Sequence, residues 1–179
     1  MRTSGNVAVQ LWAQINLARI QWLAGNAHVA LGQYELLSAP PHSTEDYWLR
    51  WLKALAYLSL SDPVKALEFV PDPLPSPHEM RFLSVGLEAQ TLLGTTDQSL
   101  LNAAQAQLEG EPASLIDALE LRYSLKKTYE RSGDTKRATI LQTQLTSDLL
   151  KMAATLEHHP ALQASFLEKY RESKTLTRV

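Results

Sequence analysis

Apolar positions along the chain recur at helical rather than strand spacing. Val7, Leu11, Ile15, Ala18 and Trp22 follow one another at steps of three or four, which predicts one buried face of a helix. Gln10, Gln14, Asn16, Arg19 and Gln21 interrupt the same stretch, so it is neither a signal-peptide core nor a membrane span. Alternating runs of β-branched residues are missing, and the apolar residues are mainly Leu and Ala, the stronger helix formers.

Turn residues divide the remainder. Gly25-Asn26 ends the first helix, and a second over 27–38 is stopped by Ala39-Pro40-Pro41. Ser43 or Thr44 caps a third helix that runs to about Leu60, with Glu45 and Asp46 at the positive end of its dipole. Asp62 and Pro63 supply the cap and first residue of a short helix that stops before Pro71. Four prolines in the seven residues from Pro71 to Pro77 predict an irregular linker. Further helices are predicted over 78–93, 96–108, 113–132 and 135–156, broken by Gly94, Gly110-Glu111-Pro112 and Gly133-Asp134. Pro160 opens a last helix to about Arg171, and the tail from Glu172 is read as loose.

Breaks of one kind recur at Gly25, Ser61, Gly94 and Gly133, at separations of 36, 33 and 39 residues. A period in the middle thirties made of two helices marks a helical-hairpin repeat. Leu17, Ala30 and Tyr34 stand eight before, five after and nine after Gly25; Lys53, Ala66 and Val70 match them around Ser61, and Leu125, Ala138 and Gln142 around Gly133. Tyr57 and Tyr129 each stand four before their turn. This pattern resembles the tetratricopeptide repeat family over roughly residues 7–157, in degenerate form, since the family's Trp position falls on Gln14, Arg50, Leu83 and Arg122. The third unit departs furthest, with Gln90, Ser99 and a longer turn at Thr95-Thr96-Asp97.

The resemblance implies an all-α fold: a right-handed array of antiparallel helix hairpins, a tetratricopeptide-like α-solenoid, forming one domain over 1–179. The hairpins would span about 7–38, 44–70, 78–108 and 113–157, with a C-terminal capping helix at 160–171 that covers the last hairpin through Leu162, Phe166 and Leu167. Another helical-hairpin array is the structural alternative. The first helix has no polar cap before it, so the chain is read either as a piece of a larger protein or as a self-associating scaffold through that hairpin. Arrays of this kind often belong to larger bacterial signalling proteins or transcriptional regulators, which makes such a parent an expectation by analogy.

Composition narrows the function classes. Lys and Arg total 17 against 19 Asp and Glu, a net charge of −2, which gives no field to attract nucleic acid or an anionic membrane. The chain has no cysteine, hence no disulfide, thiolate metal site or cysteine nucleophile. No Asn-x-Ser/Thr sequon occurs, and a cytoplasmic location is expected.

Candidate chemistry is sparse. Isolated glycines form no phosphate loop, and no Gly-x-Ser-x-Gly elbow exists. Asp117, Glu120 and Lys127 share a helix face, the ordinary composition of a solvated surface; His158-His159 with Glu157 reads as a helix C-terminus rather than a metal ligand set. No enzyme activity, cofactor or metal is expected.

The tryptophans carry the functional reading. In the resembling family the first helix of each unit lines a groove, and the turn register then selects Trp12, Ile15, Arg19 and Trp22; Trp48, Trp51 and Leu55; Arg81, Ser84 and Glu88; and Glu120, Tyr123, Lys127 and Glu130. Aromatic residues beside arginine are the usual composition of an interaction anchor. Partner-binding residues are thus expected at Trp12, Arg19, Trp48, Trp51, Arg81, Glu88, Tyr123 and Lys127, with filling of the inter-hairpin core as the alternative for the tryptophans. The expected partner is a protein or peptide; a small ligand near Trp12, Trp48 and Arg19, sensed by a regulatory domain, is the second reading.

Overall fold

The computed structural model describes residues 4–76, 78–109 and 114–172. Nine helices and no strand occur among them: α1 (Ser4–Leu23), α2 (Ala27–Glu35), α3 (Thr44–Ser59), α4 (Pro63–Leu67), α5 (Glu79–Leu93), α6 (Gln98–Glu109), α7 (Leu115–Ser132), α8 (Thr135–Ala154) and α9 (Pro160–Glu172). The Gly110-Glu111-Pro112 break, the expected helix start at Ala113 and the tail from 173 onward lie outside the described residues. None of these helices is long and apolar enough to cross a membrane.

All four repeated breaks adopt the same backbone. Gly25, Ser61, Gly94 and Gly133 have φ of 87°, 59°, 74° and 81°, the left-handed region. In each turn the next N–H reaches back five residues to a carbonyl: Asn26 to Gln21, Asp62 to Tyr57, Thr95 to Gln90 and Asp134 to Tyr129, at 2.9–3.0 Å. That bond satisfies a carbonyl left open by the helix end. Glycine adopts this conformation without Cβ strain, whereas Ser61 does not. Ser61→Gly should therefore raise stability by about 0.5–1 kcal/mol, read as a higher denaturant midpoint at unchanged slope.

Caps fix where the helices start. Ser43, Asp62, Ser114 and Asp134 each accept a backbone N–H from the residue three positions on. Some ends differ from the sequence expectation. Helix α2 stops at Glu35 rather than Ser38, with Leu36 as its C-cap. Helix α6 begins at Gln98 rather than Thr96, since the Gln90 side chain takes the Asp97 N–H at 2.9 Å and holds the longer turn. The chain from Pro71 to Ser76 is irregular, as its prolines require, with a cis Asp72-Pro73 bond.

Two compact units are present, Met1–Asp97 and Gln98–Val179. In the first, α2 packs on α1 and α3, and α3 also packs on α4 and α5. Its core holds Ile15, Ala18, Ala30, Tyr34, Leu52, Ala54, Ala66 and Phe82. The buried small residues identify the close contacts between helices: Ala30 and Ala66, five after their turns, and Ala18 and Ala54, seven before them, are all fully buried. Leu17, aligned by the repeat, is instead 62% exposed, and Val7 also faces solvent, because α1 turns the side that carries Leu11, Ile15, Ala18 and Trp22 toward the core. In the second unit, α7 packs on α6 and α8, and α9 packs on α8. Phe166 and Leu167 of α9 pack against Leu119, Leu145 and Leu149, while Leu162, expected in that contact, is exposed.

Candidate functional site

The site is built from the start of α3 outward. Ser43 Oγ accepts the Asp46 N–H at 3.2 Å, and the Asp46 carboxylate accepts from the His42 N–H at 3.1 Å and from Arg50 Nε at 3.2 Å. With this turn pinned, Trp48 and Trp51, three residues apart, project from one side of the helix. Their rings meet edge-on, 5.2 Å apart at 83°. Trp12 of α1 completes the aromatic set, 5.9 Å from Trp48 at 75°. These separations and angles suit the quadrupole of the rings.

Two indole bonds set α1 against α3. Trp12 Nε1 donates to Glu45 Oε1 at 3.1 Å, and Trp22 Nε1 donates to Ser59 Oγ at 2.9 Å. N-terminal part thus joins N-terminal part and C-terminal part joins C-terminal part, so the two helices run the same way. Arg81, near the start of α5, stacks its guanidinium 4.4 Å from the Trp48 ring and 5.2 Å from Trp51. Arg19 lies 5.9 Å from Trp48. Such cation–ring contacts contribute about 0.5–2 kcal/mol each, depending on how far the cation is desolvated.

Five expected residues are therefore brought together in the first unit: Trp12, Arg19, Trp48, Trp51 and Arg81. Trp51 is only 6% exposed and supports the others from the core, whereas Trp12, Trp48, Arg19 and Arg81 are half-buried. Glu88 is half-buried two turns further along α5. Tyr123 and Lys127 belong to the second unit, where the Lys127 ammonium sits 4.9 Å from the Tyr123 ring.

Beneath the cluster lies a polar pair that the repeat pattern did not single out. Arg19 Nε and the Tyr34 hydroxyl are both buried without a hydrogen-bond partner. Burial pushes the Tyr34 hydroxyl up to about 12, opposed by the Arg19 charge. Tyr34→Phe removes the unsatisfied group and should stabilise the first unit by about 1 kcal/mol at neutral pH. The raised value also has a pH signature. Below pH 10 the phenol is neutral in both states; between pH 10 and about 12 the unfolded chain ionises first. Stability should then fall by on the order of 2–3 kcal/mol across that window, and denaturation of the Phe variant should lack that component.

The remaining candidates are scattered. Asp117 donates its N–H to the Ser114 cap while Glu120 is exposed one turn on. His158 is exposed and pairs with Glu157 at 3.5 Å. Among the described residues, no group of three His, Cys, Asp or Glu side chains could hold a metal ion. Comparison with protein-family models, curated proteins and solved structures returns no match.

Proposed function

We propose that the chain is a non-enzymatic protein-interaction module: a tetratricopeptide-like hairpin array, part of a larger signalling or regulatory protein of the cytoplasm, that binds a peptide or partner domain. The observation that carries this reading is the half-buried Trp12–Trp48–Arg19–Arg81 surface on α1, α3 and α5, backed by a buried Trp51. Rigid indoles held by hydrogen bonds and stacked with guanidinium groups lose little freedom on binding, which is what an interface anchor requires. Parallel α1 and α3, each followed by a left-handed turn and a second helix, support the repeat reading. Nucleic acid and membrane are not proposed as partners, given the near-neutral charge balance.

A second reading is self-association through the first hairpin. The outer side of α1 exposes Val9, Leu17, Ile20 and Leu23, continued by Val29 of α2, with no charge among them. The number of exposed apolar side chains on this hairpin is what favours that reading.

The test is capture from native-host lysate with the wild-type chain and with Trp48→Ala/Arg19→Ala, after circular dichroism shows the variant folded. The proposal expects a protein that the wild type retains and the variant loses by at least tenfold, the loss expected from an anchor worth more than about 1.4 kcal/mol. Equal recovery by both chains, or recovery of nothing, overturns it. Recovery of only further copies of the same chain favours the second reading.

A further inference from the structure

A separate feature of the second unit, independent of the tryptophan surface, has the form of a small-molecule site. A cavity of about 270 Å³ opens between α6, α7 and α8. Its apolar lining includes Leu125 and the Tyr129 ring from α7 with Ile140 and Leu141 from α8. Leu125, Tyr129 and Leu141 are buried, so this part of the lining is fixed by the core. Two opposite charges line the same cavity from different helices, Glu109 of α6 and Arg137 of α8. They form no ion pair with each other: Arg137 instead uses its Nε toward Asp134, at 3.5 Å, and lays its guanidinium 5.4 Å from the Tyr129 ring. Burial raises the Tyr129 hydroxyl, and the charge and a hydrogen bond of Arg137 oppose the rise.

A cavity with an apolar lining and separate positive and negative groups suits a ligand that carries both charges beside an apolar substituent. Its volume is just below the range of about 300–1,000 Å³ that drug-sized ligands take, which suits a small molecule. A free amino acid is the small molecule that bears an ammonium and a carboxylate on one carbon. We propose that this cavity binds an α-amino acid with an apolar side chain, its carboxylate on Arg137, its ammonium on Glu109 and its side chain against Leu108 of α6 and Ile140 of α8, the apolar lining residues that are accessible. Charge-assisted hydrogen bonds at the two ends would set orientation, and the apolar lining would select the side chain.

The probe is L-leucine, titrated into the full ¹⁵N-labelled chain, alongside 4-methylpentanoate, which lacks the ammonium, and 3-methylbutylamine, which lacks the carboxylate. Saturable amide shifts confined to α6, α7 and α8 are expected for leucine, with each single-charge analogue at least tenfold weaker. Arg137→Gln and Glu109→Gln, both at exposed positions, should each weaken leucine about tenfold, equivalent to about 1.4 kcal/mol. Ile140→Trp, at a half-exposed lining position, should close the cavity and abolish the shifts. The proposal is overturned if leucine gives no saturable shift at millimolar concentration, if an analogue with one charge binds as well, or if the folded charge variants bind leucine unchanged.

Discussion

Ala30→Leu lowers the stability of the first unit by about 3 kcal/mol, and its melting temperature by roughly 10–20 °C. Ala30 is fully buried on α2, five residues after the left-handed Gly25, where α2 meets both α1 and α3. Ala18 and Ala54 are also fully buried, so the packing there relies on side chains that end at Cβ. Three more carbons at Ala30 have no free volume to enter and must part the helices or take a strained rotamer. Ala13→Leu, at an exposed position on α1, adds the same carbons and should leave melting nearly unchanged. A thermal melt of both variants by circular dichroism checks the expectation; equal melting would remove Ala30 from the helix contact.

Arg122→Met should cost the second unit about 2–4 kcal/mol. Arg122 of α7 and Asp148 of α8 form an ion pair whose side chains are only 14% and 15% exposed. Removing the guanidinium leaves a mostly desolvated carboxylate, relieved only in part by Lys151 at 3.6 Å. The double variant Arg122→Met/Asp148→Leu replaces both charges with apolar volume and should recover at least half of the loss. Urea denaturation of the two single variants and the double gives the coupling energy directly. Additive single effects would show that the pair contributes no coupling.

Why some of this architecture can be read from the chain follows from local chemistry. The four turns are legible because the left-handed conformation selects glycine at three of them, and because Asp62-Pro63 announces a new helix after Ser61 at the other. Ser43 and Asp62 are equally local, each acting within one turn of its own helix. The inward side of α1 is legible in part. Leu11, Ile15, Ala18 and Trp22 of the predicted stripe do pack inward, while Val7 at its start and Leu17, drawn from the repeat alignment, stay outside. The turn register brought out Trp12, Trp48 and Arg81 as a set because each stands thirteen residues before its turn and such residues meet on neighbouring helices, and it added Arg19 two turns of helix beyond Trp12. That register could not separate the buried Trp51 from the half-buried Trp48, which differ in depth rather than position. The Arg19–Tyr34 pair, and Glu109 with Arg137, join residues of ordinary type on different helices, and no spacing rule marks them.

Trp12, Trp22, Trp48 and Trp51, the four tryptophans of the chain, all lie in the unit that spans Met1–Asp97. The protein therefore carries its own optical label on one half. Indole emission, excited at the red edge of aromatic absorption, follows the first unit alone, while far-ultraviolet dichroism sums the helices of both. A gap between the two unfolding curves would reveal a chain whose halves melt separately; superimposed curves would reveal one that melts as a single cooperative body.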